Sequence, residues 1–227
     1  MRALDDGIHV VEGPEKVAGL RIGTRMTVVR LNDGRLWLHS PIPFEARLCA
    51  ALEPMGPVTF LVAPNKVHHL WLGPWAEAYP NATLFGATGL RDKRRDLVFH
   101  REIGDAPPTD WDAEIDQCAI GGAPYVNEVA FLHRASRTLL LTDFATNFPE
   151  LPSGLATQLW LRAMGLGGGL RVSRLVRALV RDRNATRASL ERILAWDFDR
   201  VVPTHGEVLE TGGTAALREA WQPLLRR

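Results

Sequence analysis

Two adjacent histidines, His68 and His69, an aspartate, Asp143, and a late histidine, His205, are the residues of this chain whose types and positions could do chemistry. Each follows closely on a short apolar run. Val58 to Ala63 precedes the histidine pair, Leu139 to Thr142 precedes Asp143, and Arg200 to Pro203 precedes His205. Neutral imidazoles and an ionised carboxylate suit a borderline divalent cation such as Zn²⁺, Fe or Mn. Layered α/β folds bind ligands in the crevice outside the carboxyl ends of their strands, so three such strand ends can converge. Neighbours on an extended strand point apart, so both His68 and His69 can ligate only if the backbone turns between them.

The elements that must position these residues follow from periodicity and turn chemistry. Ile8 to Val11 and Met26 to Leu31 are β-branched runs, and Asn32-Asp33-Gly34 leads the second into Arg35 to His39. That predicts a tight hairpin. Leu48, Ala51, Leu52 and Met55 fall on one helical stripe, stopped by Gly56-Pro57. Val58 to Ala63 is continuously apolar, as a strand buried on both faces would be. A helix is expected over Leu70 to Tyr79 and a strand over Thr83 to Ala87, and Asp105 to Trp111 reads as a surface connection. Val129 to His133 and Thr138 to Thr142 form a strand pair. Pro152 to Met164 and Val172 to Arg181 are helical in pattern, parted by a glycine-rich run at 165–169. Ser189 to Trp196 is a short helix, Arg200 to Pro203 a last strand, and Thr214 to Leu225 a closing helix.

Composition narrows the function classes. The chain has 227 residues, 46% of them hydrophobic, with 27 Lys+Arg against 26 Asp+Glu. A near-neutral balance argues against nucleic acid as partner. No run approaches the ~18 apolar residues of a membrane span. Asp5, Asp6 and Glu12 contradict a signal peptide, so cytoplasm is the expected location. Cys49 and Cys118 have no zinc-finger or redox spacing, and no serine elbow, phosphate loop or dinucleotide fingerprint occurs. Arg171, Arg174, Arg177, Arg181 and Arg183 surround an apolar stripe of Val172, Leu175, Val176, Leu179 and Val180. Such a helix either meets anions or a lipid surface, or is a solvated face packed on a core, and the acidic residues nearby favour the second.

Six motifs in order carry a resemblance over nearly the whole chain: Met26-Thr-Val-Val-Arg-Leu, Leu36-Trp-Leu-His-Ser-Pro41, Ala63-Pro-Asn-Lys-Val-His-His69, Asn127-Glu-Val-Ala-Phe131, Thr142-Asp-Phe-Ala-Thr-Asn147 and Pro203-Thr-His-Gly206. The chain resembles the metallo-β-lactamase superfamily, and more closely a family of its homologues classed as a domain of unknown function. The resemblance implies an α/β fold, a four-layer αββα sandwich of two mixed sheets flanked by helices. It also implies one domain over 1–227, with a helical segment at about 152–196 before the last strand. The superfamily pattern His-x-His-x-Asp-His, aligned on His69, puts Pro64 and Lys66 where its first two histidines belong, and its next histidine falls near Asn127-Glu128. One half of the superfamily's two-metal site is therefore expected to be lost.

The other half would be a single-metal site of His68, His69, Asp143 and His205, with Asn65 and Glu128 as weaker candidates. A lysine ammonium about 5 Å from a divalent ion would cost on the order of 6 kcal/mol, so one metal, zinc before Fe or Mn, or none, is the expected count. The function implied is a metal-dependent hydrolase of a small-molecule substrate through a metal-bound hydroxide. Lys66 would act as electrophile and Asp143 as the catalytic carboxylate. The alternative is a catalytically inactive binding or scaffolding protein on the same fold. Four protein ligands would leave tetrahedral zinc no open position, which weighs against catalysis. His39 falls where the superfamily has an aspartate near the site.

Overall fold

The computed structural model describes residues 1–14, 16–17 and 20–226. The amino-terminal half gives the strands β1 (Arg2–Asp5), β2 (Ile8–Gly13), β3 (Lys16–Val17), β4 (Leu20–Arg21), β5 (Thr24–Arg30) and β6 (Leu36–His39). Helix α1 (Ala46–Leu52), β7 (Val58–Ala63), α2 (Leu72–Ala78), β8 (Thr83–Ala87), α3 (Leu90–Lys93) and β9 (Arg101–Ile103) follow. The second half gives β10 (Ile115–Ala119), β11 (Val129–His133), β12 (Thr138–Leu141), β13 (Thr146–Phe148), α4 (Leu155–Ala163) and β14 (Gly169–Arg171). It ends with α5 (Arg174–Leu179), α6 (Arg183–Leu194), β15 (Arg200–Pro203) and α7 (Gly213–Leu225).

Among the described residues, one sheet has the order β1-β2-β5-β6-β7-β8-β9 and the other β10-β11-β12-β15. Both are mixed. β6, β7, β8 and β9 run parallel, as do β12 and β15. Alternation along the central strands builds three apolar layers. Trp37, Phe60, Val62 and Phe85 meet Phe131, Leu140 and Val202 between the sheets. Leu38, Leu61 and Ala63 turn the other way, toward Leu52, Leu72, Trp75 and Leu90 from the first three helices. Leu139, Leu141 and Val201 face Val176, Leu190, Ile193 and Trp221 from the last three. With period-2 side chains buried on both faces, the order of layers is αββα, as expected. No helix of the described residues is long and apolar enough to cross a membrane.

Several local expectations need correction. Trp111 is not in a surface connection: it is 2% exposed, and its indole lies edge-on to Phe85, Phe60 and Trp37 at 4.6, 5.4 and 5.9 Å. The prolines before it turn the backbone, and the large apolar side chain fills the space between the sheets. The glycine-rich run expected to part the helices of 152–196 also opens a short strand that the pattern did not show. Gly167, Gly168 and Gly169 all take positive φ, and Gly169 enters β14, which pairs with β13. Helix α6 begins six residues before Ser189 because Asp182 caps it, its Oδ1 accepting from the amides of Asn184 and Ala185 at 3.0 Å each.

His39 closes β6 inside the layer between the sheets. It is 1% exposed, stacked on Trp37 at 5.6 Å and edge-on to Phe131 at 5.5 Å, and neither ring nitrogen has a protein partner. Burial first, then the neighbouring His68, pushes its pKa down to about 3. A folded value below the unfolded one means the unfolded chain binds the extra proton. Stability from this group is therefore whole at neutral pH and falls as pH drops from about 6.5 toward 3, by up to about 5 kcal/mol. His39→Phe keeps the ring packing and removes the proton acceptor. Urea midpoints at pH 7 and pH 4.5 should show the variant losing distinctly less stability on acidification than the parent; equal losses would refute this role.

Candidate metal centre

The site lies where the carboxyl ends of β6, β7, β12 and β15 meet at one edge of the two sheets. After β7 the chain turns at Asn65, which is fully buried. Its Oδ1 accepts from the amides of Val67 at 2.7 Å and His68 at 2.6 Å, an Asx turn that takes His68 out of strand geometry. Its Nδ2 donates across to the second sheet, to Thr142 Oγ1 at 2.7 Å and Asp143 Oδ2 at 2.5 Å. His68 Nδ1 lies 3.0 Å from Ser40 Oγ, and its Nε2 lies 3.6 Å from Asp143 Oδ2. Ser40 has φ +54°, a conformation uncommon outside glycine that sets its hydroxyl against the imidazole. Burial pushes the His68 pKa down to about 4, against the pull of Asp143, so the ring is neutral at pH 7 and has a lone pair to give.

Asp143 sits on a turn held from below by Glu128. This carboxylate is fully buried, and its two oxygens accept from the amides of Thr142 at 2.7 Å, Asp143 at 2.7 Å and Phe144 at 3.0 Å. Burial, with the Asp143 charge beside it, pushes the Glu128 pKa up to about 7, while the amides pull the other way.

His205 follows β15 on a turn that glycine makes possible. Gly206 has φ +84°, and a Cβ there would lie 1.9 Å from the Asn147 carbonyl oxygen. Asn147 N donates to His205 O at 3.1 Å. Arg25, 3% exposed on β5, donates to the carbonyls of Pro203 at 2.5 Å and Gly206 at 2.6 Å, gripping the turn on both sides of His205, and pairs with Glu12 at 3.0 Å. His205 Nδ1 lies 2.7 Å from Gly23 O. A carbonyl can only accept, so Nδ1 carries the proton and Nε2 keeps the free lone pair.

His68, Asp143 and His205 each offer a ligand atom within 4.8 Å of the others, and the two rings are 5.0 Å apart between centroids. The remaining sequence candidates lie elsewhere. His69 turns toward α3, where its Nδ1 is 3.2 Å from Arg94 Nη1 and its carbonyl accepts from the same nitrogen at 2.8 Å. Burial, then Lys93 and Arg94, lower its pKa to about 4. The Lys66 ammonium donates to Pro124 O at 3.3 Å and rests beside Gly89, with no contact to the three ligand groups. Asn65 and Glu128 are held as positioning residues, every side-chain oxygen of theirs already accepting backbone N–H.

Ser40, Arg25 and Gly23 escaped the sequence reading. Arg25 had one visible mark, a charge next to a run of apolar strand residues. Ser40 and Gly23 are common loop residues whose role exists only through distant partners.

The family model described as Domain of unknown function (DUF4336) matches residues 5–164. Comparison with the curated proteins finds no match. Among solved structures, the DIM-1 metallo-β-lactamase exposed to ceftazidime is 13% identical over 98% of this chain and 95% of its own, with a TM-score of 0.68. A metallo-β-lactamase from Pontibacter korlensis is 10% identical over 98% and 97%, at 0.67. The FIM-1 enzyme from Pseudomonas aeruginosa in its mono-zinc form is 8% identical over 99% and 92%, at 0.64. At such identities the likeness is one of fold, and the fold here is that of the metallo-β-lactamases.

The network around Glu128 can be tested without any ligand. Glu128→Gln keeps the shape but sets an amide NH₂ against backbone N–H groups that need an acceptor, which should cost about 2 kcal/mol. Urea unfolding at pH 8 measures it; a midpoint within error of the parent would refute the positioning role.

Proposed function

This chain belongs to the DUF4336 family, and we propose that it is a metal-dependent hydrolase with a single divalent ion held by His68, Asp143 and His205. The observation that carries the proposal is the convergence of these three donors, each oriented by a partner of its own: Ser40 for His68, Asn65 for Asp143, the Gly23 carbonyl for His205. Two neutral imidazoles and one carboxylate fit zinc, and three protein ligands leave a fourth position open, as catalytic zinc sites do. With His69 committed to Arg94, the objection from four ligands falls away. A divalent ion there would acidify a water toward neutrality and polarise a carbonyl.

The chain's own residues do the rest. Asp143, with a side chain 20% exposed, meets solvent at the open face of the site, while His68 is buried behind it. Gly23 O fixes the His205 tautomer, and Arg25 fixes the height of its turn. Hydrolysis of an ester there consumes one water and yields an acid and an alcohol. Lys66, with its ammonium on Pro124 O, has no part in this reading. The count of one ion rests on the used-up neighbours: Asn65 and Glu128 are saturated by hydrogen bonds, and among the described residues the three ligands are the only cluster of this kind. Since one sheet supplies His68 and the other Asp143 and His205, we read 1–227 as one working domain.

Zinc titration by calorimetry, with elemental analysis of protein purified without chelator, is the test. One ion per chain is expected. Asp143→Ala and His205→Ala should each weaken zinc binding at least 100-fold, whereas His69→Ala should leave it within about threefold. No stoichiometric zinc in the parent, or unchanged binding in either ligand variant, would overturn the proposal.

A further inference from the structure

Asp143 and His205 also form one end of a cavity of about 180 Å³ that opens between the sheet edge and helices α4 and α5. Its walls are Val126, Phe148, Trp160, Met164, Val176 and Leu179, with Leu175 and Val67, 55% and 44% exposed, at its outer reach. Among the described residues, no lysine or arginine side chain lines it. Of the other polar wall residues, Ser173 Oγ already accepts from Val176 N at 3.1 Å, and Thr146 Oγ1 donates to Arg171 O at 3.4 Å. Among the described wall residues, Asp143 and His205 are thus the polar groups that offer a metal-ligand atom.

From this we infer a substrate class: a neutral ester or thioester whose apolar group, aryl or short alkyl, enters the cavity while its carbonyl faces Asp143 and His205. The inference rests on the hydrolase reading above and adds the substrate to it. Size, lining and charge each support it. A cavity of about 150 Å³ lined by aliphatic and aromatic side chains accommodates benzene, so this one takes a single ring or a chain of similar bulk. An apolar wall favours apolar groups because their burial removes apolar surface from water. A carboxylate carried on the apolar group itself, away from the ion at the Asp143 and His205 end, would be stripped of water with no cation among the described wall residues to meet it, which disfavours it. The site therefore selects against substrates whose recognised group is anionic.

The probes are methyl 4-fluorobenzoate and monomethyl 2-fluoroterephthalate, which share a fluorinated ring and a methyl ester and differ by a carboxylate on the ring. They are titrated into the full chain and followed by ¹⁹F NMR in buffer with chelator, so that neither hydrolysis nor metal coordination intervenes. The neutral ester should bind saturably at one site and at least tenfold tighter than the anion. Val176→Phe, which fills the cavity, should abolish ester binding. Leu175→Asp, a change at a solvent-exposed position that does not threaten folding, should weaken it at least fivefold. Non-saturable ester binding, an anion bound as tightly, or ester binding unchanged in Leu175→Asp would overturn the inference. Ester binding intact in a protein that takes up no zinc would leave the cavity's preference standing and sink the hydrolase instead.

Discussion

The candidate site depends on one constraint: polar backbone at the junction of two buried sheets has to be satisfied without water. Three amide groups of the Thr142 to Phe144 turn point inward there, and the Glu128 carboxylate takes all three. Asn65 does the same for Val67 and His68 from the opposite sheet and adds a bridge to Thr142 and Asp143. Left unpaired, each of those amides would cost about 1–3 kcal/mol. The same bonds that remove this cost fix where His68 and Asp143 stand. Stability and site geometry are therefore one network.

The layered core explains why the ligands can come from both sheets. Phe60, Val62, Leu140 and Val202 interlock between the sheets, so the carboxyl ends of β7, β12 and β15 reach the same edge at a separation set by side-chain packing. The loops beyond them need only a few residues to bring donor atoms within 4.8 Å of one another. Arg25 and Gly23, from the start of β5, reach across to the His205 turn and hold it from the first sheet. On the far side, the glycine-rich run before β14 lets α4 and α5 fold over the site edge and leave an apolar cavity there rather than a closed wall.

Much of this was legible in the chain as text. The apolar runs Val58 to Ala63, Thr83 to Ala87 and Arg200 to Pro203 correspond to strands with the same bounds, because continuous burial on both faces leaves an unmistakable composition. What was not legible has a common physical cause. Trp111 hid behind a proline pair, since turn chemistry describes backbone and says nothing of where an indole goes. His69 looked equal to His68 because the partner that claims it, Arg94, lies 25 positions on in another element. Lys66 stood in a ligand position by alignment, yet the direction of its side chain is set by space beside Gly89 and Pro124.

By itself, the sequence determined most of the central strands and helices and the three strand ends that carry candidate donors, because burial and turn preferences are local and written in neighbouring residues; the αββα order of two mixed sheets was implied by the family resemblance rather than by any local pattern. Tertiary structure alone decided which donors meet, that His68 and not His69 faces Asp143 and His205, that the side-chain oxygens of Asn65 and Glu128 accept from backbone amides, and that Asp143 and His205 border a cavity lined mostly by apolar side chains. Those outcomes are settled largely by hydrogen bonds and contacts between residues 14 to 182 positions apart, as in Glu128 with Thr142 and His205 with Gly23. No local pattern carries such pairings; they exist only once the two sheets have packed.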